Sequence, residues 1–495
     1  MKELQLIFEK SRPGRKGVRV PSAEDVPQRP LNDLLPGELL RDEPAALPEL
    51  GELDVIRHFT NLSQRNYGID TGFYPLGSCT MKYNPRVNEE AASNSKFTQM
   101  HPLQPDRTAQ GCLRVMHDLQ TWMAEITGFD AATLQPPAGA SGELLCLLMI
   151  RAYHESRGEG EQRTVVLVPD SAHGTNPASA ARAGYKVESV RTAPDGGCDL
   201  EDLKAKTGPH VAAMMLTNPT TLGLFERNTV EMNRILHEAG VQVFCDGANM
   251  NALVGIARPG DMGFDCMHLN LHKTFSTPHG GGGPGCGCVG VKSHLEPFLP
   301  SPVLVEKDGE YAWDYNRPHS VGRVHGFHGN FLMNVRAWAY VMAYGRDGLP
   351  EIAKHAVLNA NYVMARIREA FPPAYDRLCM HECVVTATPL KKFGVRALDV
   401  SKRLIDYGFH PPTNYFPLIV PEALMIEPTE SESKETLDAF CDALLSIAKE
   451  AETDPALLKQ APTRAPVGRL DEAWAARNLD VRWKGTERAP VGLSR

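Results

Sequence analysis

The sequence predicts an α/β fold: a large, mostly parallel sheet domain followed by a smaller C-terminal α+β domain. Three observations carry this expectation. Short apolar runs alternate with helix-like segments between Thr164 and Val291, polar or charged residues follow several of those runs directly, and 495 residues are more than one core usually organises. Strands joined through helices run parallel, and their ligands collect at the carboxyl edge of the sheet.

The elements follow in order. Residues 1–60 are rich in proline and charge, which predicts an extended arm lying on another surface. Residues 61–330 form the expected large domain. Leu113, Met116, Leu119, Met123 and Ile126 recur at helical spacing and stop at Gly128. A second helix follows Gln135-Pro-Pro-Ala-Gly-Ala-Ser-Gly-Glu143. Strands are predicted at Thr164–Val168, Lys186–Val190, Val211–Leu216, Val241–Cys245, Cys266–Leu271 and Cys288–Val291, with a helix between Asn228 and Gly240. Residues 331–455 form the small domain: a connecting helix from Phe331 to Tyr344, a strand at Cys383–Thr386, a helix at Leu398–Tyr407 and a closing helix from Ser431 to Ala451. Residues 456–495 read as a polar tail.

Composition narrows the function classes. A hydrophobic content of 42% with 23% charged residues is ordinary for a globular enzyme, and a net charge of −8 without long charge runs speaks against nucleic acid as a partner. No apolar run reaches about 18 residues and the N-terminus lacks a signal-peptide core, so a cytoplasmic chain without membrane contact is expected. Eleven scattered cysteines fit reduced thiols. Cys286 and Cys288, like Cys379 and Cys383, lack a second pair at zinc spacing, so no metal site is expected.

The chemistry concentrates at strand ends. Lys273 closes an apolar strand and precedes a glycine-rich run, Gly280-Gly-Gly-Gly-Pro-Gly285. Such an amine can add to a carbonyl once it loses its proton. Asp246 follows another apolar run 27 residues earlier, and a buried carboxylate needs a cation or a protonated ring nitrogen beside it. Asp246 as a helix cap is the alternative. His173 follows the first of these strands. Ala140, Ser141 and Gly142 open a helix whose free amides and dipole suit a phosphate; Ser141 fits equally as a plain N-cap. Phosphate site, ring partner, counter-ion and amine are together what pyridoxal 5'-phosphate requires.

At four stretches the chain also resembles a known family. Tyr74-Pro-Leu-Gly-Ser-Cys-Thr-Met-Lys-Tyr-Asn-Pro85, His173-Gly-Thr-Asn-Pro-Ala178, Cys245-Asp-Gly-Ala-Asn-Met-Asn251 and the segment around Lys273 are similar to the P-protein family of the glycine cleavage system, glycine dehydrogenase (decarboxylating), and within it to the separate subunit 2 chains. The resemblance runs from about Asp54 to Glu452. It implies a fold-type-I, pyridoxal-phosphate-dependent transferase-like architecture, glycine as substrate, aminomethyl transfer to a lipoylated H-protein, and a subunit 1 partner in a hetero-oligomer.

The resemblance also assigns roles. Lys273 would hold the cofactor covalently, Asp246 would keep its ring nitrogen protonated and His173 would stack on the ring, a structural histidine being the other reading. Ser141 and Gly142 would bind phosphate. Asn218, Asn249 and His272 would lie near the cofactor's oxygen or phosphate. Arg323 fits either the substrate carboxylate or an interface ion pair. Two other classes share much of this logic: another fold-type-I enzyme, such as a cysteine desulfurase-like protein or an amino-acid decarboxylase, and a non-catalytic scaffold subunit.

Overall fold

The computed structural model describes residues 5–18, 21–22, 24–43, 45–280 and 285–481. The central part of the glycine run, 281–284, lies outside them, as does 482–495 of the expected tail. The chain divides into two compact units, Ile69–Ala465 and a second made of Met1–Gly68 with Pro466–Arg495.

The first unit is built on a seven-stranded sheet. Its strands are β1 (Ala131–Thr133), β2 (Val165–Pro169), β3 (Lys186–Val190), β4 (Val211–Thr217), β5 (Gln242–Asp246), β6 (Cys266–Asn270) and β7 (Gly287–Val291), in the order β1-β7-β6-β5-β4-β2-β3. β7 is antiparallel to both of its neighbours; the pairs from β6 through β3 are parallel. β4 and β5 are buried at every position, which is why they read as continuous apolar runs rather than alternating ones. Helix Gly139–Ser156 packs on β6 and β7.

Beyond the sheet lie a hairpin, β8 (Val303–Lys307) with β9 (Glu310–Asp314), and a three-stranded antiparallel sheet of β10 (Cys383–Thr386), β11 (Thr413–Asn414) and β12 (Ala423–Ile426). Helix Phe331–Ile367, broken at Gly345 by a φ of 60°, runs from the large sheet towards the small one. It extends well past the expected Tyr344 because the break does not end the apolar face: Ile352, Ala356, Ala360 and Val363 continue it. Buried side chains around the small sheet, such as Phe371, Leu404 and Phe440, form a core separate from those around the large one. On that ground we propose 61–330 and 331–455 as functional domains, although residues 61–68 of the first belong to the other compact unit.

In the second unit, helix Glu52–Ser63 crosses the end of the arm expected for residues 1–60. Glu52 and Asp54 sit in its first turn, where acidic groups favour the dipole, and Leu53, Ile56 and Phe59 recur at helical spacing. The polar tail expected from residue 456 begins inside another helix, Pro455–Gln460, because Leu458 is buried. Among the described residues no helix is long and apolar enough to cross a membrane.

Candidate active site

Three strands deliver their chemistry at one edge. β4, β5 and β6 run parallel and in register, so Thr217 pairs with Asp246 and Asp246 with His268. Three residues past β6, Lys273 returns to the same edge. Its N–H donates to the carbonyl of Asn270 at 2.9 Å, and this turn directs the side chain back over the strand ends. A cavity of about 250 Å³ lies there, with Lys273, Asp246, His173, His272, Asn249 and Ala140 on its wall.

Asp246 is buried but well supplied with partners. Asn176 Nδ2 donates to Oδ2 at 3.0 Å, Ala248 N–H donates to Oδ1 at 3.0 Å, and His268 Nε2 lies 3.5 Å from Oδ1. Burial pushes the carboxyl's pKa up. His268, the Asn176 and Ala248 hydrogen bonds and Lys273 more than offset this, and the net position is below the ordinary aspartate value. The side chain therefore stays ionised, with its charge turned to the cavity. The capping role expected as the alternative is also present, through Ala248.

Glu143 stands behind this carboxylate. It is buried and accepts from the Thr175 hydroxyl at 2.8 Å, Asn176 Nδ2 at 3.1 Å and the Ser179 hydroxyl at 3.1 Å. Glu143, Asp246 and His268 lie close enough together to hold a metal ion. The donors already placed on both carboxylates, with Asn176 shared between them, account for the cluster without one.

The start of helix Gly139–Ser156 faces the same space. Ala138 at its N-cap gives no side-chain cap, and the Ala138 carbonyl takes the N–H of Gly142 at 3.1 Å. The amides free of intrahelical bonds are thus those of Gly139, Ala140 and Ser141, one residue earlier than expected. Gly142 serves packing instead: a Cβ there would stand 2.8 Å from His268 Cβ. At Gly139 a Cβ would meet the Asn270 side chain at 2.5 Å, so glycine is what lets the helix end approach β6.

The remaining residues divide. His173 sits at the cavity rim, its Nδ1 2.9 Å from the Thr175 hydroxyl and its ring edge-on to Phe416. His272 is held neutral, with burial and then His279 and Lys273 lowering its pKa to about 4. Asn249 reaches the cavity, but its Nδ2 is engaged by the Pro219 carbonyl at 2.9 Å. Asn218 and the side chain of Ser141 are not on the wall. Asn218 clamps the loop after β4, accepting from Glu226 N–H at 3.0 Å and donating to the Thr229 hydroxyl at 2.8 Å. Arg323 is exposed and away from the cavity.

Sequence reading missed His268, Glu143, Asn176 and Ser78. His268 was findable from register, as the residue opposite Asp246 once β5 and β6 are neighbours. Asn176, Glu143 and Ser78 fall inside stretches already singled out, without a pattern marking them individually.

A larger cavity, about 560 Å³, is lined by Phe97, Met100, Met116, Trp313, Phe331 and Arg336 among others and contains none of the expected residues.

Comparison with known proteins places the chain in a family. The family model described as glycine cleavage system P-protein matches residues 26–310, and one described as glycine dehydrogenase, C-terminal domain, matches residues 352–462. The chain is 58% identical over 478 residues to the probable glycine dehydrogenase (decarboxylating) subunit 2 of Caldanaerobacter subterraneus subsp. tengcongensis, covering 97% of this chain and 98% of that one. It is 58% identical over 480 residues to the same-named protein of Lysinibacillus sphaericus, again covering 97% and 98%. Among solved structures, glycine decarboxylase (P-protein) of the glycine cleavage system in inhibitor-bound form superposes with a TM-score of 0.70 at 22% identity, covering 84% of this chain and 94% of that one. Glutamate decarboxylase of Lactobacillus brevis superposes at 0.65 and 12%, covering 83% and 96%. These two share the fold. The match to more than half of the chain and the near-full-length relatives show that it belongs to the glycine cleavage system P-protein family.

Proposed function

We propose that this chain is the catalytic subunit of a glycine dehydrogenase (decarboxylating) that works with pyridoxal 5'-phosphate in the cytoplasm. The observation that carries the reading is the meeting of Lys273, Asp246 and an uncapped helix end around one cavity. The donor set fits the cofactor: an amine to bind its carbonyl carbon, a buried ionised carboxylate for its ring nitrogen and free amides for its phosphate. Bound there, the ring supplies an electron sink for the pair left when the Cα–carboxylate bond of glycine breaks.

The chain's own residues do the rest. Lys273 would hold the cofactor. Asp246, kept ionised by Asn176, Ala248 and His268, favours a proton on the ring nitrogen. The amides of Gly139, Ala140 and Ser141 would take the phosphate, and His173 would stand at the rim of the site. His272, being neutral, adds no charge to that wall. A separate subunit 1 chain completes the enzyme, and the lipoyl group of an H-protein accepts the aminomethyl group.

Borohydride reduction of the loaded chain, with mapping of the modified peptide, should place the cofactor on Lys273, and Lys273→Ala should abolish the visible absorption. With its partner chain the protein should exchange bicarbonate into glycine. Exchange or turnover with cysteine or a larger amino acid in place of glycine would overturn the assignment.

A further inference from the structure

The Ser78–Thr80 turn joins Lys273 to two buried carboxyl groups beside the small sheet. Ser78 and Thr80 have positive φ, 65° and 50°, and backbone of this kind can turn successive amides towards one anion. The anions are the protein's own. Ser78 N–H donates to Glu382 Oε2 at 2.7 Å, while Cys79 and Thr80 N–H donate to Glu427 Oε2 at 3.1 and 2.7 Å. The Thr80 hydroxyl donates to Glu427 Oε1, and Asn249 Nδ2 reaches Glu382 Oε1 at 3.5 Å. Glu382 immediately precedes β10 and Glu427 immediately follows β12, two strands whose adjoining residues Cys383 and Ile426 are paired. Both glutamates are fully buried. On the other side of the turn, the Ser78 carbonyl accepts a hydrogen bond from Lys273 Nζ at 2.7 Å.

His381 lies alongside, its Nε2 3.6 Å from Glu427 Oε1, and the three side chains could together surround a cation. Each of the four carboxylate oxygens already has a donor within reach, so the turn accounts for the acid pair without a metal. Other groups that interact electrostatically with Lys273 are Asp246, Cys79, His272, His279 and His381. Burial lowers the pKa of the three histidines, to about 4 for His272 and about 3 for His381, and raises the Cys79 thiol to about 11. All four are uncharged at neutral pH. Asp246 and the glutamate pair are left as the negative groups. Burial pushes both glutamates above the usual carboxylate range, further for Glu382, which also feels Glu427. Each of the two makes the other harder to ionise.

We propose that Glu382 and Glu427 are a positioning pair for Lys273: buried side by side, they hold the Ser78–Thr80 turn so that its carbonyl and their negative charge receive the lysine ammonium whenever the amine is free of covalent attachment. This rests on Lys273 being the cofactor-bearing amine. It gives the Tyr74–Pro85 loop a physical task, tethering the lysine to the small sheet while its amine is free.

The test is labelling of the full-length chain, stripped of cofactor and mixed with its partner, by acetic anhydride at one fixed pH. The rate of Lys273 acetylation is read by peptide mass spectrometry. In Glu382→Gln or Glu427→Gln the remaining carboxyl ionises and keeps the charge, so the rate should stay near that of wild type. The double variant loses the charge and should label roughly tenfold faster, the change in neutral amine that one unit of proton affinity gives. A folded double variant labelling at the wild-type rate overturns the proposal, whatever its melting temperature. Should the double variant not fold, infrared spectra of the single variants decide. A buried protonated-carboxyl band present in wild type at neutral pH should vanish in both, and its survival in either overturns the pairing. The borohydride mapping described above tests the underlying reading separately, because label on another lysine would sink that reading without altering the acetylation rates.

Discussion

Asn176 Nδ2 donates to two buried carboxylates at once, Glu143 Oε2 at 3.1 Å and Asp246 Oδ2 at 3.0 Å. One amide thus fixes the spacing of two groups that would otherwise repel each other beside the cavity. Asn176→Ala should destabilise the protein by about 1–3 kcal/mol, the cost of stripping a donor from buried acceptors. The pH dependence has a definite sign. Asp246 sits below its ordinary value in the folded chain. Its contribution is complete above about pH 4, the unfolded value, and is lost as the pH falls through the lower native one. Removing the Asn176 donor raises the native value towards the unfolded one, so urea unfolding curves should show a smaller acid loss of stability in the variant, one that levels off at a higher pH. Identical acid limbs would contradict this.

Asp246→Asn separates cofactor binding from chemistry. The amide keeps the shape and can still accept from Ala248, whereas the negative charge facing the ring nitrogen is gone. The cofactor should remain bound, as judged by absorbance after gel filtration, while glycine–bicarbonate exchange falls on the order of a hundredfold or more. Near-normal exchange would mean that another group is the counter-ion.

Much of the large sheet was legible because β2, β4, β5 and β6 are apolar runs flanked by turn residues and helices, and a buried parallel strand reads that way. β1 was not, since three residues, Ala131–Thr133, carry no periodicity. The β8–β9 hairpin was missed because its alternation is interrupted by Glu306, Lys307 and Glu310 on an exposed ribbon. Asp246 ends β5 and Lys273 follows β6 by three residues, at the strand ends where a single-sequence reading looks for ligands. Glu382 and Glu427 reach the lysine from another sheet more than a hundred residues later, and no local spacing announces a contact of that kind. The shift of the free amides from Gly142 to Gly139 turned on where the helix begins, a boundary set by tertiary contact between Gly139 and Asn270.

Gly142→Ala tests that boundary. The added Cβ would stand 2.8 Å from His268 Cβ and 3.3 Å from Val289 Cγ2, in a helix–sheet contact with nowhere to move. Alanine favours helices over glycine by about 1 kcal/mol, so propensity alone predicts stabilisation. Overpacking of this kind costs about 1–3 kcal/mol and should win, lowering the midpoint of urea unfolding. His268 would also be pushed relative to Asp246, and the absorption of the bound cofactor should shift. A variant more stable than wild type would show that the helix start is looser than it stands here.

Lys82 is a buried amine, and it is fully committed. Its Nζ lies 2.8 Å from Glu430 Oε1, 2.9 Å from Asn251 Oδ1, 2.7 Å from the Thr274 carbonyl and 3.0 Å from the Tyr340 hydroxyl, with side-chain exposures of 2% for Lys82 and 10% for Glu430. The pair ties the residue after Lys273 to the segment following β12. Lys82→Met leaves Glu430 desolvated without its cation, which should cost about 3–5 kcal/mol. Replacing both partners, as Lys82→Met with Glu430→Leu, removes the stranded charge and should recover most of that loss, because a buried ion pair adds little over apolar packing. Urea unfolding of the two single variants and the double closes the cycle. If the double is as unstable as the sum of the singles, the two side chains do not interact as drawn.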